Sequence, residues 1–428
     1  MIDVQPAPSP TDGTVTHSPV VPSPGILNVD WEERWNVERL RTFRLARARM
    51  ALDASELGAV LLFDFNNIRY VTSTHIGEWA RDKMTRFALL TRGGEPHLWD
   101  FGSAAKHHRL FCPWLPPENV RGGMIGLRGA VAPEAVLFAG AAAEIADILR
   151  TEGVADMPLG VDIVEPPMLA ALEAEGVVVR DAQQVMLDAR EVKSIDEIVL
   201  LNTACAMVDG AYQLIAERLK PGIRESQLVA EVTKFLFDLG SEHVDNINAV
   251  SGERCSPHPH VFSDRIIRPG DQAFFDIIHT FVGYKTCYYR TFVVGKASEA
   301  QRDAYKRARE WIDASIELMR PGVTTDQVAR VWPKAEEFGF PSEMEAFGLQ
   351  FGHSVGLFLH ERPIISRLNS LDHPVELKEG MVIALETYCP AKDGESAARI
   401  EEEVVVTANG PLVITRFPSD DLFVANAY

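Results

Sequence analysis

The sequence predicts a two-domain protein of the α/β (α+β) class, with a C-terminal domain built from two related helix-and-strand halves. Three observations predict it. Strand-length apolar runs alternate with longer helical patterns up to about residue 185. A capping box, Ser194 with Glu197 three residues later, opens a long helix that stops at Lys220-Pro221-Gly222. A repeat then appears at an offset of 100 residues: Leu219-Lys-Pro-Gly-Ile-Arg-Glu-Ser-Gln-Leu228 resembles Met319-Arg-Pro-Gly-Val-Thr-Thr-Asp-Gln-Val328. Each copy has a long helix before Pro-Gly, a second helix after it and strand-rich sequence beyond. Such halves would face each other around a shared central site.

The elements follow in order. Residues 1–25 hold six prolines among Ser and Thr and read as an extended tail. A helix is expected over about 31–53, with Trp35, Leu40, Phe43 and Met50 on one side. Ala59–Phe63 reads as a buried strand, and Asn66-Asn67 as a turn before Ile68–Tyr70. Phe87–Leu90 and His97–Trp99 flank Gly93-Gly94 as a hairpin. Helical segments at about 132–152 and 166–175 are joined by strands at Leu159–Val161 and Val177–Val179. Domain boundaries are therefore expected at 26–185 and 186–428.

Composition is that of a globular protein, 46% apolar and 24% charged, with a formal net charge of -19. That charge disfavours nucleic acid and anionic membranes as partners and leaves a small-molecule substrate. No membrane-spanning run and no signal peptide are expected. Five scattered cysteines fit a reducing, cytoplasmic setting.

The chemistry concentrates late in the chain. Asp276 and Cys287 lie in β-prone sequence around the turn formers Val282-Gly283-Tyr284, so a hairpin would bring them together. Glu386 and Glu401 repeat that arrangement around Asp393-Gly394. Two hairpins of inward acids plus His353 on a third strand would make a mixed oxygen and nitrogen site suited to Mn, Fe, Co or Zn.

Local words then carry a resemblance. From about 190 to 416 the chain resembles the pita-bread superfamily of creatinase, prolidase and aminopeptidase P. The matching words are Lys193-Ser-Ile-Asp-Glu197, Ser251-Gly252 with His258, Asp276, Gly283-Tyr284, Arg290-Thr291, Gly352-His353-Ser-Val-Gly356, His360-Glu361-Arg-Pro363, Glu386 and Arg399-Ile-Glu401. The resemblance implies a creatinase-like N-terminal α/β domain and a C-terminal pita-bread domain with a pseudo-twofold duplication. It implies metal ligands at Asp276, His353, Glu386 and Glu401, with Cys287 where the peptidases have aspartate. It also implies pocket histidines at His258 and His360, and a homodimer.

The N-terminal words Leu62-Phe-Asp-Phe-Asn-Asn-Ile-Arg-Tyr70, Ser73-Thr74, Trp79 and Arg86 resemble the dimethylsulfoniopropionate lyases built on this fold. That resemblance implies β-elimination of a small sulfonium zwitterion, with aromatic faces at Trp79, Tyr284, Tyr288 or Tyr289 for the cation. Three positions depart from the lyases. Ile278 and Cys287 replace aspartates, and Leu359 replaces the catalytic base, which leaves His360 or Glu361 for that role. Cys287 has three open readings: a soft ligand, a buried apolar residue beside one remaining ion rather than two, or part of a metal-free site. An Xaa-Pro dipeptidase-like metallohydrolase and a creatinase-like, metal-free C–N hydrolase stand as alternatives to the lyase.

Overall fold

A computed structural model describes residues 35–81, 85–123, 130–257, 259–346 and 351–427. The proline-rich tail and His258 lie outside the described residues.

Contacts divide the chain after Arg190 into two compact units. In the first unit, β1 (Ala59–Leu62), β2 (Phe87–Thr91), β3 (His97–Asp100), β4 (Val120–Gly122), β5 (Leu159–Val161) and β6 (Val179–Asp181) form one sheet, ordered β4-β3-β2-β1-β5-β6. The expected hairpin is the antiparallel β2–β3 pair. Helices α1 (Val37–Asp53), α2 (Phe65–Thr72), α3 (Gly102–Phe111), α4 (Leu137–Thr151), α5 (Pro166–Ala174) and α6 (Gln183–Arg190) complete the unit.

Three expectations change here. Helix α1 buries Leu40, Arg44, Ala48 and Leu52, one residue every turn, and leaves Met50 exposed. Asn66-Asn67 is not a turn. The Asp64 side chain accepts from both of their amides and starts α2 there, and Asn67 turns inward to Asp162 at 2.8 Å. The boundary falls at 190 rather than 185. Helix α6 is held to the first unit by Tyr70 Oη donating to the Ala189 carbonyl (2.9 Å) and by Arg47 donating to the carbonyls of Asp188 and Ala189.

The second unit opens with the capping box of Ser194 and Glu197, both halves of which are formed, at the start of α7 (Ile195–Arg218). Then come α8 (Glu225–Asp238), β7 (His243–Ser251), β8 (Gln272–Phe281), β9 (Tyr284–Lys285) and β10 (Tyr289–Val294). The second half holds α9 (Glu299–Glu317), α10 (Thr325–Ala329), β11 (Gly352–Ser354), β12 (Glu361–Ile365), β13 (Val382–Glu386), β14 (Cys389–Pro390), β15 (Ala397–Ala398), β16 (Glu401–Thr407), β17 (Gly410–Val413) and β18 (Phe423–Ala425). One sheet runs β18-β10-β8-β7 with β9 attached to β8, and the other runs β12-β11-β13-β16-β17.

The repeat is visible in the backbone. Gly222 and Gly322 both take positive φ, 93° and 87°, which a side chain would oppose. Gly222 N donates to the Ile267 carbonyl, and Gly322 N to that of Leu377. Ile267 N and Leu377 N return the bond to Ile223 and Val323. The copies differ in the second helix, 14 residues in α8 and 5 in α10. Pro333 follows α10 closely and cannot continue it.

Helix α7 corrects the expectation that no segment has spanning character. Its 24 residues meet the length and apolarity of a membrane span, yet half of the apolar stretch is buried within the unit. Cys205, Ala211, Tyr212 and Ile215 are fully enclosed there.

His279 on β8 is fully buried, its Nε2 3.0 Å from the Ala204 carbonyl and its Nδ1 3.0 Å from Ser241 Oγ. Burial lowers its pKa from 6.5 to about 4. Between those values the unfolded chain binds the proton and the folded chain does not, so stability falls as pH falls from 6.5 to about 4. The loss attributable to this group is about 3 kcal/mol. Denaturant titrations across that range should show a shallower pH slope in His279→Gln. An unchanged slope would remove His279 as the cause.

Candidate metal centre

Two pairings build the site. Asp276 on β8 lies opposite Tyr289 on β10, and the turn between those strands uses positive φ at Val282 (49°) and Gly283 (88°). The chain from that turn returns Cys287 beside Asp276, with Sγ 3.8 Å from Oδ1. In the other half, Glu386 and Glu401 are direct register partners across β13 and β16. His353 on β11 pairs with Ala384 of β13.

Arg290 and Thr291 join the two halves. Arg290 donates to the carbonyls of Glu401 (2.6 Å) and Phe417 (3.0 Å) and to the Glu402 carboxylate (2.9 Å). Thr291 Oγ1 donates to the Arg399 carbonyl at 2.6 Å and accepts from the Arg399 amide at 2.9 Å. The Arg-Thr word is therefore a clasp between sheets that aligns the ligands of one half with those of the other.

Asp276, Cys287, His353, Glu386 and Glu401 are all buried. Cys287 Sγ, one nitrogen of His353 and one oxygen of Glu401 lie within 4.8 Å of one another. His353 Nε2 and both oxygens of Glu401 have no hydrogen-bond partner among the described residues, and the two groups approach to 3.9 Å. Orphaned atoms of this kind are costly to bury without a compensating ligand. Asp276 is differently placed, accepting from Asn248 Nδ2 at 2.9 Å, and Glu386 faces the Arg399 guanidinium at 3.5 Å. The donor set fits a divalent ion of the zinc or iron class.

Burial dominates the electrostatics. It raises Asp276 to about 6, with Glu386 adding to the rise and Arg399 opposing it. It raises Glu401 further, and the neighbouring Glu386 and Asp276 add to the effect. The Cys287 thiol is pushed up by burial and by the carboxylates around it. Burial lowers His353 and His360 to about 4 each, so both rings are neutral at neutral pH.

A cavity of about 410 Å³ opens onto this cluster. Asp276, Cys287, His353 and Glu386 line it, as do the three departures from the lyase pattern, Ile278, Cys287 and Leu359. His360 lines it too, its ring centre 4.5 Å from that of His353.

Other expected residues are placed elsewhere. Glu361 lies outside the lining, buried against Lys193 Nζ at 3.0 Å. Tyr284 donates to Glu197 at 2.9 Å, and Tyr288 points into the core to donate to Asp209 at 2.6 Å. Of these tyrosines, Tyr289 lines the cavity. Trp79 belongs to the first unit, where it is 64% exposed and meets the Phe101 ring at a 38° tilt.

Sequence reasoning missed five functional candidates. Arg399 and Tyr388 line the cavity, the arginine stacked 4.1 Å over the Tyr289 ring. His260 and Asn248 line it as well. Behind it, Glu403 accepts from the Cys287 amide at 2.8 Å and from Cys205 Sγ at 3.2 Å, and burial raises its pKa to about 8. A signal existed: Arg399, Glu401 and Glu403 alternate at period two and so share one face. Glu402 faces the other way, toward Arg290 and Arg309.

The sequence model of Metallopeptidase family M24 matches residues 199–408. Residues 199–408 therefore carry a Peptidase M24 domain. The chain is 34% identical to the Xaa-Pro dipeptidase of Pyrococcus furiosus over 239 residues, 54% of this chain and 65% of that protein. The chain thus spans just under two thirds of the first curated relatives it matches. A dimethylsulfoniopropionate lyase of Roseovarius nubinhibens is 26% identical over 405 residues, 90% of this chain and 87% of that protein. Among solved structures, the Xaa-Pro dipeptidase of Bacillus anthracis superposes with a TM-score of 0.71 at 20% identity, covering 90% of this chain and 99% of that one. The fold is therefore that of the pita-bread peptidases, and the M24 family is one that binds divalent metals.

Proposed function

We propose that this protein is a metal-dependent lyase. It cleaves the C–S bond of dimethylsulfoniopropionate or a similar small zwitterionic carboxylate by β-elimination. The observation that carries the reading is the cavity lining. One guanidinium, Arg399, stands beside the aromatic faces of Tyr289, Tyr388 and Phe340 and the acids Asp276 and Glu386. A zwitterion needs that pairing: a fork of donors for the carboxylate, and electron-rich faces and negative charge for the sulfonium. Similarity to the Roseovarius lyase through 90% of the chain supports the same reading.

In this scheme Arg399 orients the carboxylate and Tyr289 and Tyr388 hold the sulfonium away from water. Neutral His360 takes the proton from the carbon next to the carboxylate. The electron pair of that C–H bond forms the double bond, and the C–S pair leaves with sulfur. The products are acrylate and dimethyl sulfide. A bound divalent ion would supply charge stabilisation for the enolate-like transition state, with Cys287, His353 and Glu401 as its holders. The reading carries with it a homodimer, a reducing compartment and no nucleic-acid or membrane partner.

Headspace detection of dimethyl sulfide tests the proposal directly. Metal-replete protein should release it from millimolar substrate, and His360→Ala should lower the rate by about 10²–10⁴-fold. Absence of gas would overturn the reading. An Xaa-Pro dipeptidase-like activity is the second reading, favoured by the 34% identity to the Pyrococcus enzyme. Release of proline from an Xaa-Pro dipeptide in the same sample would select it.

A further inference from the structure

The geometry points to a single-ion site in this chain, ligated by the Cys287 thiolate together with His353 and Glu401. It rests on the reading of the protein as a metal binder and is independent of which substrate is turned over.

Asp276 is taken by Asn248 at 2.9 Å, and Glu386 faces Arg399 at 3.5 Å. His353 Nε2 and both Glu401 oxygens are enclosed, aimed at each other and without a hydrogen-bond partner among the described residues. Cys287 Sγ completes a triangle with them, no side longer than 4.8 Å. Tetrahedral bonds of about 2.0 Å to nitrogen or oxygen and about 2.3 Å to sulfur set ligand atoms about 3.5 Å apart. Side-chain movements totalling about 1 Å along the longest side would close the triangle on one ion.

The same residues disfavour a second ion. A pair of ions about 3.5–4 Å apart is normally clamped by bridging carboxylates. A lone thiolate supplies one sulfur atom where a carboxylate would offer two oxygens. The Arg399 guanidinium is buried beside Glu386 and supplies positive charge from the protein itself. Glu403 fixes the Cys287 backbone from behind through its 2.8 Å bond to the amide, which orients Sγ toward His353 and Glu401. Binding would expel the thiol proton to solvent as the metal–sulfur bond forms, and soft sulfur selects zinc or iron over manganese.

The test uses the full chain with cobalt(II) as the probe. Metal analysis at saturation should give one ion per chain. The near-ultraviolet spectrum should carry a sulfur-to-cobalt charge-transfer band. That band should vanish in Cys287→Ser while the visible ligand-field bands persist, and it should be unchanged in Cys205→Ser. Two ions per chain, no bound ion, or a charge-transfer band that survives Cys287→Ser would each overturn the inference. Circular dichroism of the variants separates loss of the ligand from loss of the fold. Because none of these readouts depends on turnover, the site can stand if the lyase reading falls.

Discussion

Arg399→Met is expected to lower kcat/KM by about 10²–10³-fold. Arg399 is buried at the cavity wall, 4.1 Å over Tyr289, with Glu386 at 3.5 Å. Its own pKa is raised by Tyr289, Glu386, Asp276 and Glu401 against the pull of burial. Removing the cation leaves that acidic group without its counter-charge, and removes the planar fork that would hold a substrate carboxylate. Arg399→Lys should recover little, because an ammonium neither stacks on Tyr289 nor donates in parallel. Steady-state kinetics of both variants check this. Near-normal kcat/KM in the Met variant would move the carboxylate anchor elsewhere.

Lys193→Met should destabilise the second unit by about 3–5 kcal/mol. Lys193 Nζ is buried, 3.0 Å from Glu361, and also donates to Ser354 Oγ beside the ligand His353. The variant strands the Glu361 carboxylate in a dry interior. Glu361→Gln added to it should return much of the loss, since both charges are then gone. Denaturant midpoints at constant slope are the measurement. A change under about 1 kcal/mol would mean that water reaches the pair.

Much of this site could be read from the chain alone, for a physical reason. Asp276, Glu386 and Glu401 sit in strand sequence interrupted by turn formers, so hairpin geometry brings each close to its partner without knowledge of the rest of the fold. The period-two rule likewise held for Arg399 and Glu403, although neither was assigned a role from it. Long-range pairing was not legible. Lys193 meets Glu361 only after both halves have closed, and no local pattern announces that contact. The tyrosines show the other limit. Tyr288 and Tyr289 are neighbours on an extended chain and must point to opposite sides, so one enters the core and the other reaches the cavity. Which is which depends on the partner strand.

The direct opposition of Glu386 and Glu401 limits how such a site can evolve. Inserting one residue between Arg399 and Glu401 would turn part of this alternating set away from the cavity and break the spacing that now places guanidinium and carboxylate together. Length changes are tolerable only at the Asp393-Gly394 turn, where Gly394 adopts positive φ and Asp393 is exposed. Point replacements carry no such penalty, because they exchange a side chain and leave the register alone. Ile278, Cys287 and Leu359 line one cavity, where an exchange of that kind alters the chemistry and spares the register. The scaffold permits new chemistry to be written letter by letter, but not by changing the spacing of the words.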